Sequence, residues 1–372
     1  MKKIVVITPT DLTDKYGHSG VVYSICNQIS KENNLIWLKP KISIRGILLN
    51  LIPLLYVYTL KALGYTISHH PAISKMYDSY LNNKLRGIDY DCVIGFESLY
   101  LSYMKTDKPI LYRTDGVFHS MVNYYIKNVP QSMIKQGDIV EEKTLMKSTY
   151  VLFPSQWVYD ETRKYYSKVD TSKLKIIESG ANIPYVDEKL IKDKHGNDVL
   201  NLLFIGSDPV RKGVDVAINC VKCLNEEYRR KSCLTIIGGD FDFVEKPYIN
   251  YVGRINKNNA NDAERFKNYF INADFLLFPT KAECAGIVSC EAAAYGVPVL
   301  AYNTGGVSSY VIDGKNGHVF DLSATGNDFA EYIHNLSDID QIKMSEYARH
   351  LYETKFNWDV WGKKVNELIR RM

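Results

Sequence analysis

The same strand–loop–helix pattern is written twice along this chain. KKIVVITP is a continuous apolar run suited to a buried strand, and the glycine-bearing loop DLTDKYGHSG, with Gly17 and Gly20, separates it from the helix-compatible VVYSICNQISK. After residue 195 the series restarts with VLNLLFIG, the loop SDPVRKG and the helix VDVAINCVKCLNEE. DCVIGF (91–96), PILYRTD (109–115) and TYVLFPS (149–155) are further strands in the first half, each ending in polar residues where a parallel sheet would place ligand-facing loops. CLTIIGG, ADFLLFP and VPVLAY are their counterparts in the second. Two doubly wound α/β domains fit this order.

At 372 residues the chain exceeds one ordinary core, although a large single α/β barrel also has this length. The polar stretch VDEKLIKDKHGND is the expected linker, giving domains over residues 1–190 and 191–356. NWDVWGKKVNELIRRM has apolar residues at helical spacing and predicts a closing helix over residues 357–372 that packs back on the first domain.

Hydrophobic content of 46% and charged content of 24% exclude a disordered chain. The net charge of +4 is uneven: residues 1–195 hold 26 Lys and Arg against 19 Asp and Glu, whereas the remainder holds 20 against 23. The first half is the better candidate for meeting an anionic partner or membrane surface, scattered solvated lysines being the plain alternative. GILLNLIPLLYVYTL (46–60) is too short to span a bilayer and contains Pro53. With Lys39, Lys41 and Arg45 before it and Lys61 after, it suits a membrane interface; it equally suits a buried helix.

Seven cysteines form no disulfide-like framework, and MKKIVVITPT begins a strand without an apolar leader, so the expected compartment is the cytosol. Cys220 and Cys223 make a CxxC, but a second ligand pair at zinc-finger spacing is absent and the segment has helical periodicity.

Residues 278–314, FPTKAECAGIVSCEAAAYGVPVLAYNTGGVSSYVIDG and its flanks, hold the chemistry. A helix is expected to start at Gly286, Ile287 and Val288 and to end at Gly296 and Pro298. Unpaired amides at its start, with the helix dipole, suit a diphosphate. Glu283 precedes the helix and Glu291 lies about one turn into it. Neither carboxylate would face phosphate, because like charges about 4 Å apart repel by roughly 4 kcal/mol at an effective dielectric near 20. Each is suited instead to accept hydrogen bonds from sugar hydroxyls. The plain alternative is a capping acid plus a surface acid. Arg211 and Lys212, after the strand ending at Gly206, would neutralise a diphosphate.

FIGSDPVRKG, the E-x7-E spacing of Glu283 and Glu291, the glycines of NTGGV and the turn DGKNG together resemble the retaining glycosyltransferases of family 4, whose GT-B fold has two facing Rossmann-like domains and an interdomain cleft. The resemblance implies a donor site in which Gly20, Gly206, Arg211 and Lys212 meet the diphosphate, Glu283 the transferred sugar and Glu291 the ribose. It assigns Gly286, Ile287 and Val288 to phosphate and sugar, and Gly253 and Arg254 to the loop flanking the base. Family members often carry a basic residue after the first glycine; Ser207 and Asp208 stand there, so Arg211 is expected to take that part. On the acceptor side the resemblance points to Asp115, then His119, and to Gly17, with a helix N-cap the alternative for Asp115. Asp115, Glu283, Arg211 and Lys212 are the expected catalytic set.

The family resemblance implies front-face attack, with no enzymic nucleophile, no metal and no other cofactor. It implies a hexose moved from a nucleotide sugar, UDP before GDP, to a saccharide or lipid-linked saccharide in O-antigen, capsule or exopolysaccharide synthesis. The protein would be cytoplasmic, peripheral on the inner face of the cytoplasmic membrane, and would bind no nucleic acid. Two alternatives stand beside it: a metal-dependent transferase using Asp240 and Asp242, or Asp89 and Asp91, as a D-x-D pair, and a non-catalytic sugar-nucleotide-binding protein. A nicotinamide dehydrogenase is disfavoured because the first glycine loop is not GxGxxG, and a Walker ATPase by the lack of GxxxxGK[ST].

Overall fold

The structure is a computed structural model that describes every residue except 16, 68, 185, 187–197 and 241–244, and lacks a description of the side chains of 18 and 19. Two compact units divide the chain. One comprises Met1–Asp14, Val22–Ile177 and Gly362–Met372, and the other Lys15–Val21 and Glu178–Trp361. The expected boundary at residues 190 and 191, and most of the expected linker, fall outside the described residues. The closing helix, Trp358–Arg371, begins in the second unit and ends in the first. Within the first unit, Asn366 donates to the Gln28 carbonyl and accepts from Asn33.

Six parallel strands form the sheet of the first unit: β1 (Lys3–Ile7), β2 (Asn34–Leu38), β3 (Cys92–Gly95), β4 (Ile110–Arg113), β5 (Tyr150–Phe153) and β6 (Leu174–Ile176). Their order is β2-β1-β3-β4-β5-β6. β1 pairs on both sides, and Ile4, Val5, Val6 and Ile7 are buried, as an unbroken apolar strand requires.

The second unit repeats the plan with β7 (Leu200–Gly206), β8 (Ser232–Gly238), β9 (Ile249–Gly253), β10 (Phe275–Phe278), β11 (Val299–Tyr302) and β12 (Gly317–Phe320), in the order β12-β11-β10-β7-β8-β9. The helix Val214–Glu226 follows β7 and lays Cys220 and Cys223 against the core, so the CxxC is packing.

One segment departs from expectation, and for another the structure removes one of two open alternatives. SDPVRKG is not wholly a loop: Pro209–Lys212 makes one helical turn, capped by the Asp208 carboxylate accepting from the Arg211 amide, and Gly213 closes it at φ 72°. The run 46–60 is not a buried helix. It is split into Ile44–Leu49 and Leu51–Ala62, and within 46–60 only Gly46, Asn50, Leu54 and Val57 are buried. No helix among the described residues is long and apolar enough to cross a membrane.

Candidate active site

The C-terminal ends of β7, β8 and β10 open on a cavity of about 360 Å³ within the second unit. This is where a doubly wound sheet exposes its loops to a ligand. The helix Ile287–Ala294 starts at its wall, with Gly286 as N-cap at φ 92°, ψ 49°. A left-handed N-cap of this kind suits glycine, and the amides that follow have no acceptor within their own helix. Gly286, Ile287 and Val288 all line the cavity, as do Gly206 and Arg254.

Each of the two acids is held by a lysine. Lys212 Nζ lies 2.5 Å from Glu283 Oε2 and 4.7 Å from the centre of the Phe278 ring. Lys257 Nζ lies 2.5 Å from Glu291 Oε1 and 4.3 Å from the centre of the Phe266 ring. The two pairs share one design: carboxylate on one side of the ammonium, aromatic face on another. Burial pushes the Glu291 carboxyl above its ordinary range, and the Lys257 ammonium pulls it part of the way back.

The loop carrying Glu283 is tied from two sides. Its carbonyl accepts from the Gly306 amide at 2.8 Å, which gives the NTGGV glycines a structural part. Arg211 Nη1 donates to the Ala282 carbonyl at 2.9 Å, while Arg211 Nε reaches Asp208 at 3.3 Å. Arg211 comes only within 3.9 Å of Glu283 and does not line the cavity. Gly206 acts through its missing side chain, since a Cβ there would stand 2.8 Å from Lys212 Cγ.

Gly20 does not line the cavity either, but at φ 78° a Cβ would meet the Lys15 carbonyl oxygen at 2.7 Å. It closes the turn that brings Lys15 into the wall. Gly17 lies in the same short 3-10 turn, Gly17–Gly20. Gly253 ends β9 at φ 76° with open space around it, and Arg254 follows it into the wall.

Sequence reasoning passed over Lys15 and Lys257. Neither sits in a spacing that marks it; only the folded chain places both in the cavity wall, Lys257 against Glu291. With them the wall carries Lys15, Lys212, Arg254 and Lys257 against two carboxylates, a surplus of two positive charges. A diphosphate matches that surplus.

The remaining candidates lie in the first unit. Asp115 follows β4 and pairs at 2.5 Å with the buried Arg113 guanidinium. It is not a helix N-cap, because the helix Phe118–Met121 is preceded by Val117 in that position. His119 Nδ1 pairs with Asp138 at 2.9 Å, and its ring stacks on Tyr165 at 3.9 Å. Among the described residues no group of three or more His, Cys, Asp or Glu is gathered as a metal site. Of the D-x-D pairs, Asp240 accepts from the Tyr251 hydroxyl at 3.1 Å, and Asp242 lies outside the described residues. Asp89 and Asp91 both bind Lys3 at the start of β1.

Residues 187–355, which contain both lysine–glutamate pairs, match the family Glycosyl transferases group 1. This stretch is a group 1 glycosyltransferase domain. The lipopolysaccharide glucosyltransferase WaaG of Escherichia coli K12 is 24% identical over 306 residues, covering 75% of this chain and 77% of WaaG. A solved structure of WaaG superposes with a TM-score of 0.63 over 98% of this chain and 99% of that one. An uncharacterized 41.2 kDa protein from the cps region of Klebsiella pneumoniae is 29% identical over 49% of this chain, and the match spans about half of its length, 51%. The structure of Anabaena HepE in complex with UDP and glucose covers 100% of both chains with a TM-score of 0.67 at 13% identity. The two parallel six-stranded sheets thus have the GT-B fold of these structures.

Proposed function

We propose that this group 1 protein is a retaining hexosyltransferase that moves a sugar from a nucleoside diphosphate, UDP in the first instance, to a saccharide or lipid-linked saccharide during surface-polysaccharide assembly. The observation that carries this is the cavity beside the Ile287–Ala294 helix, where two lysine-held carboxylates flank a run of helix-start amides and the wall has a surplus of two positive charges. The relatives WaaG, a lipopolysaccharide glucosyltransferase, and HepE, solved in complex with UDP and glucose, support the same substrate classes.

In this scheme the diphosphate lies against the amides of Gly286, Ile287 and Val288 and the cations of Lys15, Lys212 and Arg254. As the bond between the anomeric carbon and the diphosphate oxygen breaks, negative charge grows on the leaving oxygen. Lys212 and the helix amides are already aimed there, so the charge is stabilised without reorganisation. Glu283 accepts from hydroxyls of the sugar and Glu291 from the ribose, whose diol shares the carboxylate with Lys257. The acceptor hydroxyl attacks from the face the nucleotide leaves, a phosphate oxygen takes its proton, and the anomeric configuration is kept. Charge on protein groups does the work assigned elsewhere to a metal, so none is required. Arg211 holds the Glu283 loop, and Asp115, His119 and Gly17 serve the acceptor, Asp115 by polarising it. The basic first half brings the protein to the anionic inner face of the cytoplasmic membrane.

A thermal-shift screen against UDP- and GDP-sugars tests the donor, because a ligand that binds only the native state raises the melting temperature. Stabilisation by one nucleotide sugar is expected. No shift with any of them, at concentrations well above ordinary affinities, would reject the reading. NMR of the product distinguishes retention from inversion, and activity undiminished by EDTA is expected.

A further inference from the structure

The helix Leu51–Ala62 is apolar on every side, yet only Leu54 and Val57 along it are buried. A helix apolar all round belongs where apolar material surrounds it. Leu54 packs with Ala72 and Met76. Helical geometry turns Ile52, Leu55, Tyr56 and Leu63 to the side away from Leu54 and Val57, and all four are exposed, Ile52 at 82% and Leu63 at 68%. The preceding helix, Ile44–Leu49, adds Ile44 at 78% and Leu49 at 73%. More than half of the large apolar side chains exposed among the described residues fall between residues 42 and 65.

This surface is a built platform. Gly46 lets the first of the two helices lie against the helix Pro71–Arg86 so closely that a Cβ would stand 2.8 Å from Met76 Cα. Past the end of the second, the Thr66 amide and hydroxyl donate to the carbonyls of Asn128 and Lys127, at 3.0 and 2.7 Å. Tyr56 OH reaches Ser132 Oγ at 3.1 Å.

Its charge says what covers it. Residues 33–77 contain no Asp or Glu, and Lys39, Lys41, Arg45 and Lys61 are all exposed. Apolar side chains with flanking cations and no acid complement one surface in particular: acyl chains beneath anionic headgroups.

We infer that the helices Ile44–Leu49 and Leu51–Ala62 insert their outer apolar face into an anionic lipid surface, with Lys39, Lys41, Arg45 and Lys61 at the headgroup phosphates. This deepens the membrane contact proposed above and rests on no step of the glycosyl transfer.

Flotation of the full chain with phosphatidylcholine–phosphatidylglycerol vesicles, and with phosphatidylcholine alone, tests it. The protein floats with the first and not with the second. Ile52→Ser, Leu55→Ser and Leu63→Ser together abolish flotation while leaving the melting temperature and donor binding in place, because these side chains are exposed. Lys41→Gln, Arg45→Gln and Lys61→Gln together weaken partitioning by roughly fivefold per cation at low salt. A Leu55→Trp variant shows blue-shifted emission on the anionic vesicles. Failure of the parent protein to float overturns the inference. Unchanged flotation of the triple serine variant overturns insertion while leaving a purely electrostatic contact standing. Dimerisation lost in the triple serine variant, without vesicle binding, would assign the face to a second copy of the chain and overturn it too.

Discussion

Lys257 Nζ sits 2.5 Å from the Glu291 carboxylate, whose side chain is only 4% exposed. Three sequence positions after the last cation that spacing suggested, Lys257 is the counter-ion of the acid assigned to the ribose. Removing one partner of a buried pair leaves an uncompensated charge. Lys257→Ala is therefore expected to destabilise the protein by about 3 kcal/mol in urea unfolding at neutral pH. Adding Glu291→Gln in that background should recover most of the loss, and a double-mutant cycle measures the coupling.

Lys212 touches Glu283 and faces the position proposed for the leaving diphosphate. Lys212→Ala should lower turnover by about a hundredfold or more while changing nucleotide affinity far less, since its main interaction strengthens as charge develops. The turnover number at saturating donor and the dissociation constant for the nucleotide separate the two effects. An unchanged turnover number contradicts the role.

Gly213 and Gly253 share a left-handed backbone but not the same surroundings. A Cβ on Gly213 would lie 2.3 Å from the Pro279 carbonyl oxygen, whereas nothing stands within 4 Å of one on Gly253. Gly253→Ala should cost about 1 kcal/mol, the backbone strain alone, and Gly213→Ala about 3 kcal/mol or more. Comparable losses in thermal unfolding would contradict this placement of the Pro209–Lys212 turn.

Glu141 is buried in the first unit, accepting from Ser98 Oγ and Tyr112 OH, each at 2.9 Å. Burial lifts its carboxyl from 4.5 to about 7, because the charged form loses its hydration. The folded state then holds a proton that the unfolded state releases, so this residue's contribution to stability is complete below pH 4.5 and is lost as pH rises to about 7. Glu141→Gln should remove a decline of roughly 3 kcal/mol across that window, read from urea midpoints at several pH values. A parallel pH dependence in the variant would assign the decline to other groups.

The strands legible in the sequence are the interior ones. β1, β3, β4 and β5, and likewise β7, β8, β10 and β11, are apolar runs because both of their faces are covered and both of their edges are paired. β2, β6, β9 and β12 went unrecognised, and they are the four edges of the two sheets. NLIWL, for example, buries only Leu38 fully. An edge strand carries a weak pattern, and what makes it a strand is a neighbour that offers hydrogen bonds.

The site divides in the same way. Glu283, Glu291, Gly286 and Lys212 could be picked out because a helix start after a parallel strand, with acids at fixed spacing, is a local arrangement that neighbouring residues specify. The part played by Arg211 could not: its guanidinium is close to Lys212 in sequence yet is turned to the Ala282 carbonyl. Lys15 and Lys257 are 242 positions apart, and both reach the wall only because separate turns converge there.

By itself, then, the sequence determined which segments could be interior strands, where the helix at the cavity wall would begin and which acids would flank it, since each depends on contacts within a few residues. The tertiary structure decided which cation neutralises which acid, that Arg211 braces a loop, and that the apolar run at 46–60 stays exposed. Those outcomes depend on which distant side chains come within a few ångströms. That proximity is fixed by the packing of the whole sheet and its helices, and no local periodicity encodes it.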